Sequence, residues 1–133
     1  MTAPDVILGA VADGSIAPAI RVLVERGAGL RPELARDPAS VRLRFAEGWP
    51  AVLVVLGPHV LVSDDDETEA EVEVRASLPD LVALLTSPLA RGIPNPMRAE
   101  GRAAIGRVIG GDVDIDGRRA TALRLLRLMS FDA

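Results

Sequence analysis

Six consecutive apolar residues, Ala51 to Leu56, constrain this chain more than any other feature. Even extended to Val62 across the Gly57-Pro58-His59 break, the stretch falls far short of the ~20 residues that cross a bilayer. With no polar position in it, the run reads as a central strand covered on both faces. Gly57-Pro58 suits a two-residue hairpin turn with glycine first, and His59 to Ser63 returns as the next strand. Before the run, Val41, Leu43 and Phe45 alternate with Arg42 and Arg44, the period-two pattern of a strand with one wet side. Gly48-Trp49-Pro50 turns between the two. After a charged loop, Asp64 to Glu69, a fourth strand places Ala70, Val72, Val74 and Ala76 inward and Glu71, Glu73 and Arg75 outward.

Helical patterns flank this meander. Residues 3–36 read as helical, with Ser15 as N-cap of a helix through Arg26 that carries Ile20, Leu23 and Val24 on one side and stops at Gly27. A shorter turn follows over Arg31 to Arg36, and Asp37-Pro38 ends it. Ser77, with Asp80 three residues on, opens a helix whose Leu78, Leu81, Val82, Leu84 and Leu85 share one side. Ser87 to Pro96 is a Pro/Gly loop, Asn95-Pro96 starts a glycine-interrupted helix to Ile109, and Gly110-Gly111 breaks it. Asp112 to Asp116 is an alternating strand with Val113 and Ile115 inward. Gly117 then leads into a last helix, Arg118 to Met129. The 133 residues suit a single domain divided into 1–36, 40–76, 77–111 and 112–133. The element order is not the regular strand–helix alternation of a doubly wound fold. It predicts an α+β domain, a mainly antiparallel sheet with helices packed against it.

Composition excludes several chemistries. There is no cysteine, so disulfides, thiolate catalysis and cysteine–zinc sites are all removed. The single histidine, His59, rules out a multi-histidine metal site within one chain. A formal charge of −4 argues against a nucleic-acid partner. The first residues lack the basic region of a secretory signal, so a soluble cytoplasmic protein is expected. All fifteen basic residues are Arg, which reads as coding bias.

Motifs for catalysis or metal binding are weak. Asp112-Val-Asp-Ile-Asp-Gly117 matches the first half of a calcium loop, but its twelfth position is Leu123 where a bidentate Glu is needed. The run of acids from Asp64 to Glu73 reads as a solvated loop and edge guard. No nucleophile elbow presents a serine to His59. The glycines at 101, 106, 110 and 111 fit neither a phosphate loop nor a dinucleotide fingerprint. No catalytic residue, metal or cofactor is therefore expected.

The last helix is more informative. Ala122, Leu123, Leu125, Leu126, Leu128 and Met129 sweep roughly 220° at 100° per residue, about twice the apolar arc of an ordinary surface helix. A helix with so wide an arc has two apolar surfaces to satisfy. One can lie on the sheet; the other meets a further helix, a partner chain or an apolar ligand.

Taken together, three segments resemble the sterol carrier protein 2 domain family. They are Val41-Arg-Leu-Arg-Phe45 with its Gly48-Trp49-Pro50 turn; Glu71-Val-Glu-Val-Arg-Ala76 with Leu81-Val-Ala-Leu-Leu85; and Gly111-Asp-Val-Asp-Ile-Asp-Gly117 with Ala122-Leu-Arg-Leu-Leu126. The resemblance covers about residues 20–130. It implies a five-stranded antiparallel sheet with helices on one face and an apolar tunnel that holds a fatty acid, acyl-CoA, sterol or other lipid, in a bacterial carrier that is not itself an enzyme. By position, Leu81, Leu84, Leu85, Val113, Ile115, Leu125, Leu126 and Met129 become tunnel candidates. Where that family often has an acid after the last glycine, this chain has Arg118, and its Ser87–Gly111 connection is longer. At about 0.8 kcal/mol per buried methylene, an acyl chain needs only aliphatic walls to bind. The competing expectation is an interaction module, in which the same apolar surface packs against a second copy or another subunit.

Overall fold

The computed structural model describes residues 3–86, 89–90, 93–94 and 113–130. Among these, six strands form one mixed sheet, and four helices are present. The strands are β1 (Asp5–Leu8), β2 (Ala39–Phe45), β3 (Val52–Leu56), β4 (His59–Asp64), β5 (Val72–Ala76) and, after an isolated two-stranded ladder β6 (Leu89–Ala90) and β7 (Ile93–Pro94), β8 (Asp114–Gly117). The helices are α1 (Ala17–Leu30), α2 (Pro32–Arg36), α3 (Leu78–Thr86) and α4 (Arg119–Met129). The expected helix between Asn95 and Ile109, and the Gly110-Gly111 break, lie outside the described residues.

The sheet order is β1-β4-β3-β2-β5-β8. β2, β3 and β4 form the expected antiparallel meander, with Val54 paired to Val41 on one side and to Val62 on the other. β3 lies well inside the sheet, as its unbroken apolar run requires. The expected five antiparallel strands become six, of which β1–β4 and β2–β5 pair in parallel. Two corrections account for this. Asp5–Leu8 is a strand rather than helix, because Val6 and Leu8 alternate with Asp5 and Ile7 in step with His59–Val62. And β5 does not return beside β4: residues 65–71 cross the sheet to lay β5 against β2.

The outward side chains of β2 explain that crossover. Arg42 donates from Nε to the Asp65 carbonyl at 3.0 Å and also to the Thr68 carbonyl, Arg44 pairs with Asp66 and Glu73, and Ser40 Oγ accepts the Glu71 N–H at 2.9 Å. Arg42 is 7% exposed, so its charge is held against carbonyl dipoles. The crossover thus covers part of the sheet face opposite the helices. That is how Leu53 is buried there while Val55 stays only half-buried. Gly117 ends β8 with φ +115°, and a Cβ there would lie 2.5 Å from the Glu71 carbonyl, so only glycine fits this turn.

On the other face Val41, Leu43, Val52, Val54, Val60, Val62, Val72 and Val74 form a continuous buried floor. α1 rests on β1 and β4, and α4 on β2, β5 and β8. α1 does not stop at Gly27 as expected but runs to Leu30. Its N-cap is Ile16 rather than Ser15. Ser15 Oγ nonetheless accepts the Ala17 N–H at 3.0 Å while donating to Asp64 Oδ1 at 2.6 Å, pinning the helix start to the end of β4.

Candidate hydrophobic-ligand site

α3 places Leu81, Leu84 and Leu85 at i, i+3 and i+4, so all three face inward, and all three are buried. Its N-terminus is fixed from outside: Glu47, in the turn after β2, accepts the Leu78 N–H with both carboxylate oxygens at 2.9 and 3.1 Å. Ser77 Oγ accepts the Asp80 N–H at 3.3 Å, the expected cap, and donates to the Asp80 carboxylate at 2.9 Å. Facing α3 is α4, which buries Leu125, Leu126 and Met129 on one side and Thr121, Ala122 and Leu128 around them. Val113, just before β8, is fully buried, and Ile115, paired with Val74, is half-buried. Among the described residues the strand begins at Asp114, and Asp112 lies outside them.

The eight candidate residues therefore converge. Seven are core members and Ile115 packs against them in the same apolar cluster, between α3, α4 and the β5–β8 edge of the sheet. Polar groups hold the walls rather than line them. Ser130 Oγ donates to the Leu85 carbonyl at 3.3 Å and joins the ends of α4 and α3. Arg31 donates to the Arg127 carbonyl at 3.0 Å and Arg26 to the Ser130 carbonyl at 3.4 Å, so one cation from α1 and one from the residue that follows it sit where the dipole of α4 is negative. Arg124 donates to the Asp37 carbonyl at 2.8 Å, tying α4 to the end of α2.

The wide apolar arc of α4 is satisfied within the chain on the side toward α1. There Leu128 packs against Gly27, beside Val24 and Ala28. Sequence reasoning missed this partner surface. Its signal was the Val24–Gly27–Ala28 spacing, small residues where a second helix comes close. Two surface hollows among the described residues lie away from the candidates. One is lined by Arg44, Phe45, Gly48, Trp49 and Pro50, with Phe45 and Trp49 rings 5.7 Å apart; another lies along the outer side of α1.

The residues weighed for catalysis or metal binding are used otherwise. His59 is exposed at the start of β4, 3.9 Å from Asp5 on the neighbouring strand. Asp64 accepts from the Ala12 N–H and Ser15 Oγ. Asp65 accepts from the Glu67 and Thr68 N–H groups at 2.9 Å and from Thr68 Oγ at 2.5 Å, and these bonds lower its pKa to about 2. The acids thus fasten the crossover. Among the described residues no group of three His, Cys, Asp or Glu side chains could hold a metal ion.

Comparison with solved structures fits this architecture. Over 86% of the chain and 89% of its counterpart, it superposes on a structure described as a UbiJ-SCP2 ubiquinone synthesis protein, with a TM-score of 0.58 at 15% identity. The fold is sterol carrier protein 2-like. The chain also superposes on part of the stereoselective inverting sec-alkylsulfatase Pisa1 from Pseudomonas sp. (TM-score 0.59, 16% identity), over 90% of this chain and 17% of that one. A solution structure of the sterol carrier protein domain 2 of Helicoverpa armigera is also similar, at TM-score 0.49 and 18% identity over 86% and 84% of the chains. No family model and no curated protein matches the sequence. Within the SCP2-like fold the candidate residues occupy the interior between sheet and helices, and no helix among the described residues is long and apolar enough to cross a membrane.

Proposed function

We propose that this chain binds and carries a hydrophobic ligand, a fatty acid, acyl-CoA or other lipid, and does not itself catalyse a reaction. The observation that carries the reading is the convergence of Leu81, Leu84, Leu85, Val113, Ile115, Leu125, Leu126 and Met129, from three separated segments, into one aliphatic interior within an SCP2-like fold. A chain of twelve methylenes placed there gains roughly 10 kcal/mol gross. Association removes about half of it, which leaves about 5 kcal/mol, a Kd of order 0.1 mM, without a polar contact. Because these side chains pack together in one cluster, the ligand enters by parting α3 from α4. The near absence of aromatic walls suits a flexible chain better than a sterol ring. The setting proposed is a bacterial cytoplasm.

The test is a titration of delipidated protein with a fluorescent fatty acid, paired with native mass spectrometry of protein as purified. Because the UbiJ-SCP2 structure is described by ubiquinone synthesis, an isoprenoid quinone belongs in the panel. Saturable one-to-one binding supports the reading; no binding of any member overturns it.

A second reading, an interaction module, is favoured by one observation: Leu125 and Leu128 are already buried by their own chain, while Val22 and Leu30 on the outer side of α1 are both 56% exposed. Sedimentation velocity separates the two readings. A tight dimer that takes up no lipid favours the module.

A further inference from the structure

The two edges of the sheet are built differently. Among the described residues β1 and β8 are the end strands, each paired on one side only. β8 turns Asp114 and Asp116 to the sheet face opposite the helices, so a strand laid along it meets charge, a common guard of an exposed edge. β1 has no such guard at its centre. There the outward residue is Ile7, 52% exposed, between Val6 and Leu8, and the one charge, Asp5, stands at the start of the strand.

Hydrogen bonding shows which backbone groups this edge offers. Gly9 donates its N–H to the Val62 carbonyl at 2.8 Å, toward β4. Successive residues of a strand point their N–H and C=O to alternate sides, so Ile7 bonds toward β4 while Val6 and Leu8 point theirs away. Among the described residues nothing pairs with those groups. The side chains add an apolar row. Ile7 lies beside Leu61, and Leu61 beside Val55, across β1, β4 and β3 on the sheet face opposite the helices. The crossover buries Leu53 on this face but leaves Leu61 39% exposed and Val55 half-buried.

The edge is complementary to itself. When a second copy is turned about a two-fold axis through Ile7, Val6 faces Leu8 of the copy, each donating its N–H to the other's carbonyl. Ile7 then opposes its own counterpart in a non-hydrogen-bonded pair, with Cα atoms about 4.5 Å apart, where cross-strand side chains come closest. The row Val55–Leu61–Ile7 continues without a break into the same row of the copy. Asp5 falls opposite Gly9 of the copy, so no like charges meet. Such a two-fold contact uses one patch on both partners and leaves only the guarded β8 edges open.

We propose that this chain forms a homodimer by antiparallel pairing of β1 with β1 of a second copy. The pairing does not depend on the lipid reading. β1 and the β5–β8 edge beside the candidate interior lie at opposite ends of the sheet, so dimerisation leaves that interior untouched. Four paired residues bury less than the roughly 800 Å² per partner of a standard interface, so the dimer is weak, with a Kd of about 10–100 μM.

The experiment is sedimentation velocity of the full chain over a concentration series spanning that range, where a monomer–dimer shift is expected. I7K sets two like charges against each other and should raise Kd by at least about tenfold. V6P removes an edge N–H that β4 does not use, so it should have the same effect while circular dichroism shows the fold retained. V22K, on the exposed side of α1, should leave association unchanged. Because the chain has no cysteine, mild oxidation of I7C should give a disulfide-linked dimer, since Cα atoms about 4.5 Å apart suit that bond, and V22C should not. A chain that stays monomeric throughout the series, I7C that does not cross-link, or association sensitive to V22K rather than to I7K and V6P would overturn the pairing. Fatty-acid titration of I7K separates the two ideas: uptake with no dimer in the unsubstituted chain removes the pairing alone, and dimerisation without uptake removes the carrier reading alone.

Discussion

The backbone of Leu128 in α4 passes so near Gly27 of α1 that a methyl group on Gly27 would lie 2.8 Å from the Leu128 carbonyl carbon and closer still to its oxygen. No rotamer relieves such a contact, because the obstacle is backbone. G27A should therefore force α1 and α4 apart and cost roughly 2 kcal/mol, despite the better helix propensity of alanine. Two residues on, a Cβ at Gly29 meets nothing within 4 Å. G29A should stabilise by about 0.5–1 kcal/mol. Urea denaturation of the pair checks both signs. Equal effects would show that the helices do not cross at Gly27.

Asp65 holds the crossover over the sheet, and its hydrogen bonds to Thr68 and Glu67 draw its pKa from the ordinary carboxylate value down to about 2. A carboxyl with a lowered folded-state pKa contributes stability above its unfolded value and loses it as pH falls toward the folded one. The crossover should stay fastened at pH 5 and loosen progressively between about pH 4 and pH 2. Hydrogen exchange at the Glu67 and Thr68 amides should speed up over that window by more than the intrinsic rate explains. D65N should show fast exchange already at pH 7. Unchanged protection in D65N would mean that Ser40, Arg42 and Arg44 hold the loop without it.

Strands that alternate locally were legible in the sequence, and strands defined by distant partners were not. Val41 to Phe45 declares itself by period, and Val52 to Leu56 by its unbroken apolar run and the Gly57-Pro58 turn between it and its return. Asp5 to Leu8 is four residues long, and nothing nearby says that it reaches His59–Val62. The parallel pairing of β5 with β2 depends on Ser40, Arg42 and Arg44 holding the crossover, contacts that a hydrophobic pattern cannot encode. Gly27 shows tertiary packing overriding local propensity: glycine ends helices, yet here it lets two of them touch. The candidate site divides in the same way. The i, i+3, i+4 leucines of α3 and the wide arc of α4 could be read directly, whereas the share of that arc already taken by α1 could not.

That sharing separates the residues of α4. Leu125 is fully buried, and L125A should cost about 2–5 kcal/mol as a core truncation whether or not a ligand exists. Leu126, 9% exposed, is the least enclosed of the buried candidates. L126A should cost less stability than L125A and yet reduce fatty-acid affinity severalfold, by removing aliphatic wall. Thermal melts and ligand titrations of both variants test this. Affinity that follows stability alone would make Leu126 plain core.

Ligand uptake has a thermodynamic signature that needs no knowledge of where the lipid sits. A molecule that binds the folded chain and not the unfolded one stabilises it by about 2.7 kcal/mol at a hundredfold excess over Kd. For a chain of this length that raises Tm by roughly 10 °C. Because entry parts side chains that pack together, part of the gross burial goes into separating them, and the observed Kd already contains that cost. The dependence of Tm on fatty-acid concentration should therefore follow the Kd measured by titration, with no rise when a short-chain acid replaces a long one. A delipidated protein whose Tm stays flat at long-chain concentrations that saturate the fluorescence signal would place the probe on the surface, outside the α3–α4 interior.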